Sequence, residues 1–206
     1  MNFEPTGEQQ LLRDSVADFV RRECPPELVA KYAAAGHHDE ECWRRFAATG
    51  WLGIGIDPEY GGSGGTALDT ALVVETSAPV LEVIGPIFPT MCFGGHLLAS
   101  AGSEAQKRQF LPPLCRGDLR FALSLTEPGG GTDVLGAMAT TARRDGDGWI
   151  IRGTKVFTSA ARTAHYLAVA ARTSPPRDGK RAFGVTVFLV PPDDPGVTID
   201  PLEVLS

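Results

Sequence analysis

A chain of 206 residues that is 43% hydrophobic and 21% charged is long enough to bury a core, too apolar to be wholly disordered, and sized for one to two domains. Lys plus Arg total 19 against 25 for Asp plus Glu, a net charge of −6, which argues against a nucleic-acid binder. The 24 glycines and 16 prolines exceed average usage and predict prominent loops and turns.

The four cysteines, Cys24, Cys42, Cys92 and Cys115, form no Cys-x-x-Cys unit, so no metal site is expected from them. The chain opens without a basic segment followed by an apolar run, and no stretch of about 20 apolar residues occurs. The expectation is four reduced thiols in a cytoplasmic protein with no membrane span.

The first part reads as helices. Thr6 and Gln9 form a capping-box pattern ahead of Leu12, Val16, Phe19 and Val20, which share one helical face. Pro25 and Pro26 should end that helix. Asp39 can cap a second, with Trp43, Phe46 and Ala47 on one face and Gly50 just past its end. Thr66 can start a third through Leu68, Leu72 and Val73. Residues 91–101 read as a fourth, closed by Gly102. Ser103 and Gln106 repeat the capping-box pattern for a last helix that should stop near Pro112 and Pro113.

After Gly117-Asp118 the period switches to two. Leu119, Phe121, Leu123 and Leu125 alternate with smaller or polar residues, as a half-buried strand does. Asp145-Gly146-Asp147-Gly148 should turn a hairpin between residues 140–144 and 149–152. Residues 155–159, 166–171 and 183–190 read as further strands, 173–181 as a polar loop and 191–196 as a turn. Val197-Thr198-Ile199 begins another strand, and residues 201–206 neither close a sheet nor cap an element. The expected class is α+β: an α-helical domain over 1–118, then an antiparallel β-barrel or sandwich over 119–206, incomplete and part of something larger.

Several motifs carry less than they first offer. Gly61-Gly62-Ser63-Gly64-Gly65 matches the G-x-S-x-G nucleophile elbow, but Asp57-Pro58-Glu59-Tyr60 breaks the required strand, so a wide inter-helix loop is expected. Gly53-x-Gly55 is half of a dinucleotide fingerprint. His37-His38, beside Asp39, Glu40 and Glu41, reads as a solvated hinge, and His96 as a hydrogen-bonded core histidine. Residues 125–133, Leu-Thr-Glu-Pro-Gly-Gly-Gly-Thr-Asp, stand apart. Glycines there allow close backbone approach, and Thr126 and Thr132 flank them with hydroxyls. Such a loop suits a planar heterocycle or a pyrophosphate as well as it suits a plain connection between strands.

These residues give the chain a resemblance to the acyl-CoA dehydrogenase family. Gly50-Trp51-Leu52-Gly53-Ile54 through Pro58-Glu59-Tyr60-Gly61-Gly62 resembles the family's first-domain loop. Phe110-Leu111-Pro112-Pro113-Leu114 is similar to its last helix before the sheet. Residues 125–133 resemble its flavin-contact motif, and Lys155-Val156-Phe157-Thr158-Ser159 its second flavin-contact strand. Phe188-Leu189-Val190 followed by Pro195-Gly196-Val197 also fits.

The resemblance implies an FAD enzyme that oxidises an acyl-CoA thioester between its α and β carbons. A glutamate takes the α proton, flavin N5 takes the β hydride, and electrons pass to an electron-transfer flavoprotein. It places Leu123, Leu125, Thr126, Gly131, Thr132, Phe157, Thr158 and Ser159 at FAD, with Thr132 near the substrate as well. Thr132 and Ser159 stand where serine and threonine respectively are commoner, exchanges that keep a hydroxyl. Glu127 belongs to the loop and is not the base. The resemblance covers about the first half of a family subunit. The catalytic base is therefore expected in a C-terminal helical bundle outside these residues, and the 206 residues alone are expected to be inactive. Homo- or hetero-oligomers are implied for a complete enzyme. A non-catalytic partner subunit or relic, and a flavin-dependent oxidase or monooxygenase of the same fold, stand as alternatives.

Overall fold

The computed structural model describes residues 4–35 and 37–202. The chain divides into two compact units, Met1–Arg120 and Phe121–Ser206. No single helix among the described residues is long and apolar enough to cross a membrane.

The first unit is helical: α1 Gly7–Glu23, α2 Pro26–Ala35, α3 Glu40–Ala48, α4 Ala67–Ser77, α5 Leu81–Ile84, α6 Leu97–Ala101 and α7 Glu104–Cys115. Three N-termini carry reciprocal capping boxes, Thr6 with Gln9, Thr66 with Asp69 and Ser103 with Gln106. The Asp39 carboxylate caps α3 by accepting from the N–H groups of Glu41 and Cys42. Each cap satisfies backbone donors that the helix itself leaves open.

The helical pattern departs from expectation at its prolines. Pro25-Pro26 does end α1, but Pro26 also opens α2, because proline at the first helical position gives up only an N–H that has no helical partner. The short α5 escaped the pattern as well. α7 runs through Pro112 and Pro113 to Cys115 instead of stopping there. The prolines forgo their own donors, while their carbonyls accept from Arg116 and Asp118. The expected fourth helix begins at Pro89 as eight π-helical residues to His96, then tightens into α6.

The core of this unit is large and aromatic. Val16, Phe19, Trp43, Phe46, Leu52, Val73, Val83, Ile84, Ile87 and Met91 are buried together, with Leu12, Val20, Leu28, Val29 and Tyr32 packed against them. Phe19, Phe46 and Trp51 meet edge to face at 5.3–5.7 Å between ring centres, the arrangement the ring quadrupoles favour. The Trp43 indole N–H donates to the Gly117 carbonyl at 2.9 Å.

The second unit is a mixed sheet of β1 Phe121–Ser124, β2 Thr141–Asp145, β3 Gly148–Arg152, β4 Tyr166–Arg172 and β5 Val185–Val190. β4 is central. It pairs in parallel with β1 (Phe121 opposite Tyr166), in parallel with β2 through Thr141 and Arg172, and antiparallel with β5. β2 and β3 form the antiparallel hairpin, turning at Gly146, which has φ +59°.

The purely antiparallel barrel or sandwich is thus corrected. Segment 125–165 is long enough to return the chain to β1 in the same direction, as a parallel pair requires. Half-buried alternation also fails in β1, where Phe121, Ala122 and Ser124 are all buried. Residues 155–159 and 197–199 are not strands. Val197 and Ile199 instead pack on the apolar cluster of Ala122, Ala161, Ala164, Leu167 and Val169. Within 201–206, residues 203–206 lie outside the described residues.

Candidate cofactor site

The glycine-rich segment leaves β1 at Ser124 and is tied down at both ends. The Leu125 carbonyl accepts from the Lys155 ammonium at 3.1 Å, and the Thr126 carbonyl accepts from the Val156 N–H at 2.9 Å. Next comes Glu127, only 6% exposed. Its Oε1 accepts from Lys155 Nζ at 2.7 Å and from the Thr140 N–H at 3.0 Å, and its Oε2 from the Ala139 N–H at 2.6 Å. At the far end, Asp133 accepts from the Gly136 N–H at 3.0 Å and from Arg181 at 2.7 Å.

Burial alone would push the Glu127 carboxyl up. The Lys155 ammonium and the two backbone N–H donors outweigh it and hold the group at about 2. A buried carboxylate is tolerated only when paired and hydrogen-bonded in this way. Lys155, with its side chain 9% exposed, serves segments 125–127 and 155–157 at once.

Lys155 therefore explains why 155–159 is not a strand. Hydrogen bonds to the Leu125 and Thr126 carbonyls and the ion pair with Glu127 attach it to the loop, and the chain then turns sharply. Phe157 has φ +59° and Ala160 φ +60°, a left-handed conformation costly for residues with a Cβ. Phe157 is nonetheless 66% exposed. A strained backbone that presents a large ring outward is the kind of local conflict found at functional sites.

The expected site residues separate by what the protein already asks of them. Leu123 and Leu125 are half-buried. The Thr158 hydroxyl donates to Ser124 Oγ at 3.3 Å and is occupied internally. No hydrogen bond to the hydroxyls of Thr126, Thr132 or Ser159 occurs among the described residues. Gly131 and Thr132 are exposed, and a Cβ on Gly129 or Gly131 would meet nothing within 4 Å. The openness there is not demanded by packing. At Gly130 it is: a Cβ would come within 2.7 Å of Ala137.

The Glu127–Lys155 pair is the feature that residue patterns did not reveal. Its members are 28 residues apart and belong to no motif with fixed spacing. The one available signal was a lysine directly ahead of the apolar Val156-Phe157 pair.

Other candidates take structural roles. Ser63 Oγ donates to the Gly50 carbonyl at 3.0 Å, and His96 Nε2 lies 3.0 Å from the Ile54 carbonyl and 3.2 Å from Thr70 Oγ1, so no nucleophile–base pair forms. Gly55 has φ +81° and lies so close to the His96 ring that a Cβ there would come within 2.5 Å of it. His38, expected in a solvated hinge, is 7% exposed. It packs under Gly85 and lies beside Arg120 at 3.0 Å and Glu40 at 3.2 Å. Burial, and then Arg120, lower its pKa. No group of three or more metal-ligating side chains occurs among the described residues.

Residues 6–118 match the family model for the acyl-CoA dehydrogenase N-terminal domain, and residues 122–205 that for the middle domain. Acyl-CoA dehydrogenase FadE12 of Mycobacterium tuberculosis is 34% identical over 208 aligned positions, which cover 98% of this chain and 51% of that protein. Among solved structures, a glutaryl-CoA dehydrogenase from Mycobacterium smegmatis in complex with FADH2 superposes with a TM-score of 0.82 at 28% identity, covering 97% of this chain and 49% of that one. The ChsE4–ChsE5 complex from Mycobacterium tuberculosis gives a TM-score of 0.77 at 31% identity, covering 100% and 52%. The chain spans about half the length of the relatives it matches. It belongs to the acyl-CoA dehydrogenase family, as its N-terminal helical and middle β domains.

Proposed function

We propose that these residues supply the flavin-contacting half of an FAD-dependent dehydrogenase that desaturates an acyl-CoA thioester between its α and β carbons. The observation that carries this reading is the outward-facing, left-handed Phe157, held beside the Thr126 loop by the buried Glu127–Lys155 pair. The FADH2 complex of the glutaryl-CoA dehydrogenase supports the choice of cofactor.

The residues present fit a planar, polar-edged ring. Phe157 offers an exposed aromatic face, Leu123 and Leu125 offer apolar surface, and Thr126, Thr132 and Ser159 offer hydroxyls able to donate or accept. Bound FAD would supply the hydride acceptor. Thr132, beside the exposed glycines, is the residue we place nearest the thioester substrate.

Glu127 does not serve as the α-proton base. A carboxylate held at about 2 by an ammonium has little affinity for that proton near neutral pH, and it lies buried under the loop. The base is proposed to lie outside these 206 residues. An electron-transfer flavoprotein is the proposed acceptor, and the complete enzyme is proposed to be oligomeric.

The test is titration of the chain with FAD, read as a difference in the visible flavin spectrum, followed by desalting. The reading requires a perturbed spectrum for the native chain and its loss when Thr126 and Thr132 are both replaced by Val. A perturbation of equal size in that variant would count against it.

A further inference from the structure

A second chemical feature lies in the helical unit, away from the Phe157 loop in sequence and independent of the flavin reading. Cys24, the residue just past the end of α1, and Cys42, in the first turn of α3, have their sulfurs 3.6 Å apart. Both are buried, at 5% and 0% exposed. Glu23 and Arg45 bridge the same two helices at 3.1 Å, which holds the sulfurs together. Cys92 and Cys115 have no such neighbour among the described residues.

The two thiols are not equivalent. With Cys24 as donor, the hydrogen bond between the sulfurs, and then Arg45, lower Cys42 against burial and the charges of Asp39 and Glu23, while that hydrogen bond and burial raise Cys24. Cys42 is the thiol of the pair whose ionisation its surroundings favour. Burial usually makes a cysteine inert, but Cys24 ends a helix and is followed by exposed Pro25 and Pro26. Helix ends open more readily than helix interiors, so the junction of α1 and α2 is where a small oxidant would reach the pair. Closing the sulfurs to a bond of about 2.05 Å needs a movement of about 1.5 Å, which a helix end can supply.

We propose that Cys24 and Cys42 form an oxidisable dithiol, which hydrogen peroxide converts into a disulfide stapling the end of α1 to the start of α3. The Cys42 thiolate attacks a peroxide oxygen, the O–O bond breaks, and the departing hydroxide takes the proton that Cys42 released, giving water. Cys24 sulfur then attacks the Cys42 sulfenic acid. The S–S bond forms, the S–O bond breaks, and the leaving hydroxyl departs as a second water with the Cys24 proton. Two thiols are oxidised by two electrons, and one peroxide is reduced to two waters.

The experiment treats the native chain with equimolar hydrogen peroxide, then alkylates it after unfolding and maps the peptides. The expected product is lighter by two hydrogens, links Cys24 to Cys42, leaves Cys92 and Cys115 alkylatable, reverts with dithiothreitol, and melts about 5 °C higher because the unfolded chain is constrained. Cys24→Ser should stop at a dimedone-reactive sulfenic acid on Cys42, whereas Cys42→Ser should yield no dimedone adduct. Four alkylatable thiols after treatment, or oxidation of Cys92 and Cys115 with the pair intact, would overturn the proposal.

Discussion

The two units are held together by different physics. The helical unit buries Trp43, Phe46, Phe19 and a set of branched aliphatic side chains, and places polar side chains as caps at its helix N-termini. The sheet unit buries mostly small residues, Ala122, Ala161, Ala164 and Ala168 among them, so each residue removes little apolar area from water. What orders its irregular segments is a buried ion pair, Glu127 with Lys155. Apolar packing is non-directional and tolerant, whereas a charged tie fixes particular atoms. The difference teaches why the sheet unit can hold loops open and a strained aromatic outward, and why it should be the more sensitive to pH.

The widest gap between the units should come from deleting the core anchor of the first. Trp43→Ala removes a side chain 2% exposed that also donates to the Gly117 carbonyl, and should cost about 4 kcal/mol in urea unfolding followed by far-ultraviolet circular dichroism. In the sheet unit, Lys155→Met leaves the Glu127 carboxylate buried without its cation and should cost about 3 kcal/mol. Adding Glu127→Gln to that variant should restore much of the loss, because no charge then remains buried. A double variant no more stable than Lys155→Met alone would mean the pair is not the tie described here.

Acid sharpens the same contrast. The Glu127 carboxyl lies at about 2 in the fold against an ordinary 4.5. A carboxyl depressed by folding stabilises fully above its unfolded value, and the contribution is lost as pH falls from about 4.5 towards about 2, in total about 3 kcal/mol. Glu127→Gln should flatten that acid limb, as read by stability against pH. The smallest effect is expected at Phe157. Phe157→Gly relieves a left-handed backbone and should leave the fold unchanged or more stable by about 1 kcal/mol, while removing the ring proposed to face the flavin. A matching loss of stability would show that the ring supports the fold rather than a ligand.

Sequence patterns made the first unit more legible than the second, for the same physical reason. Capping boxes at Thr6, Thr66 and Ser103, and the 3.6-residue recurrence of Val16 and Phe19, are local signals that the fold preserves. Pro26 misled because the donor it gives up has no helical partner, and Pro112 and Pro113 because α7 gives up two interior donors and still continues to Cys115. In the second unit the hairpin at Gly146 was legible from its turn residues, but the parallel pairing of β1 with β4 was not, since register between distant strands leaves no local trace. The glycine-rich loop and Phe157 could be marked from the residues and the family resemblance. Their support could not, because it rests on a tie across 28 residues and on an exceptional φ at Phe157.

The most direct test of the central claim is the visible difference spectrum of FAD with the native chain and with the Thr126→Val, Thr132→Val variant. A shifted and saturable flavin spectrum for the native chain, lost in a variant that unfolds at the same urea concentration, is the predicted result. Identical spectra for the two proteins would contradict the assignment of the 125–132 loop and Phe157 as a flavin cradle.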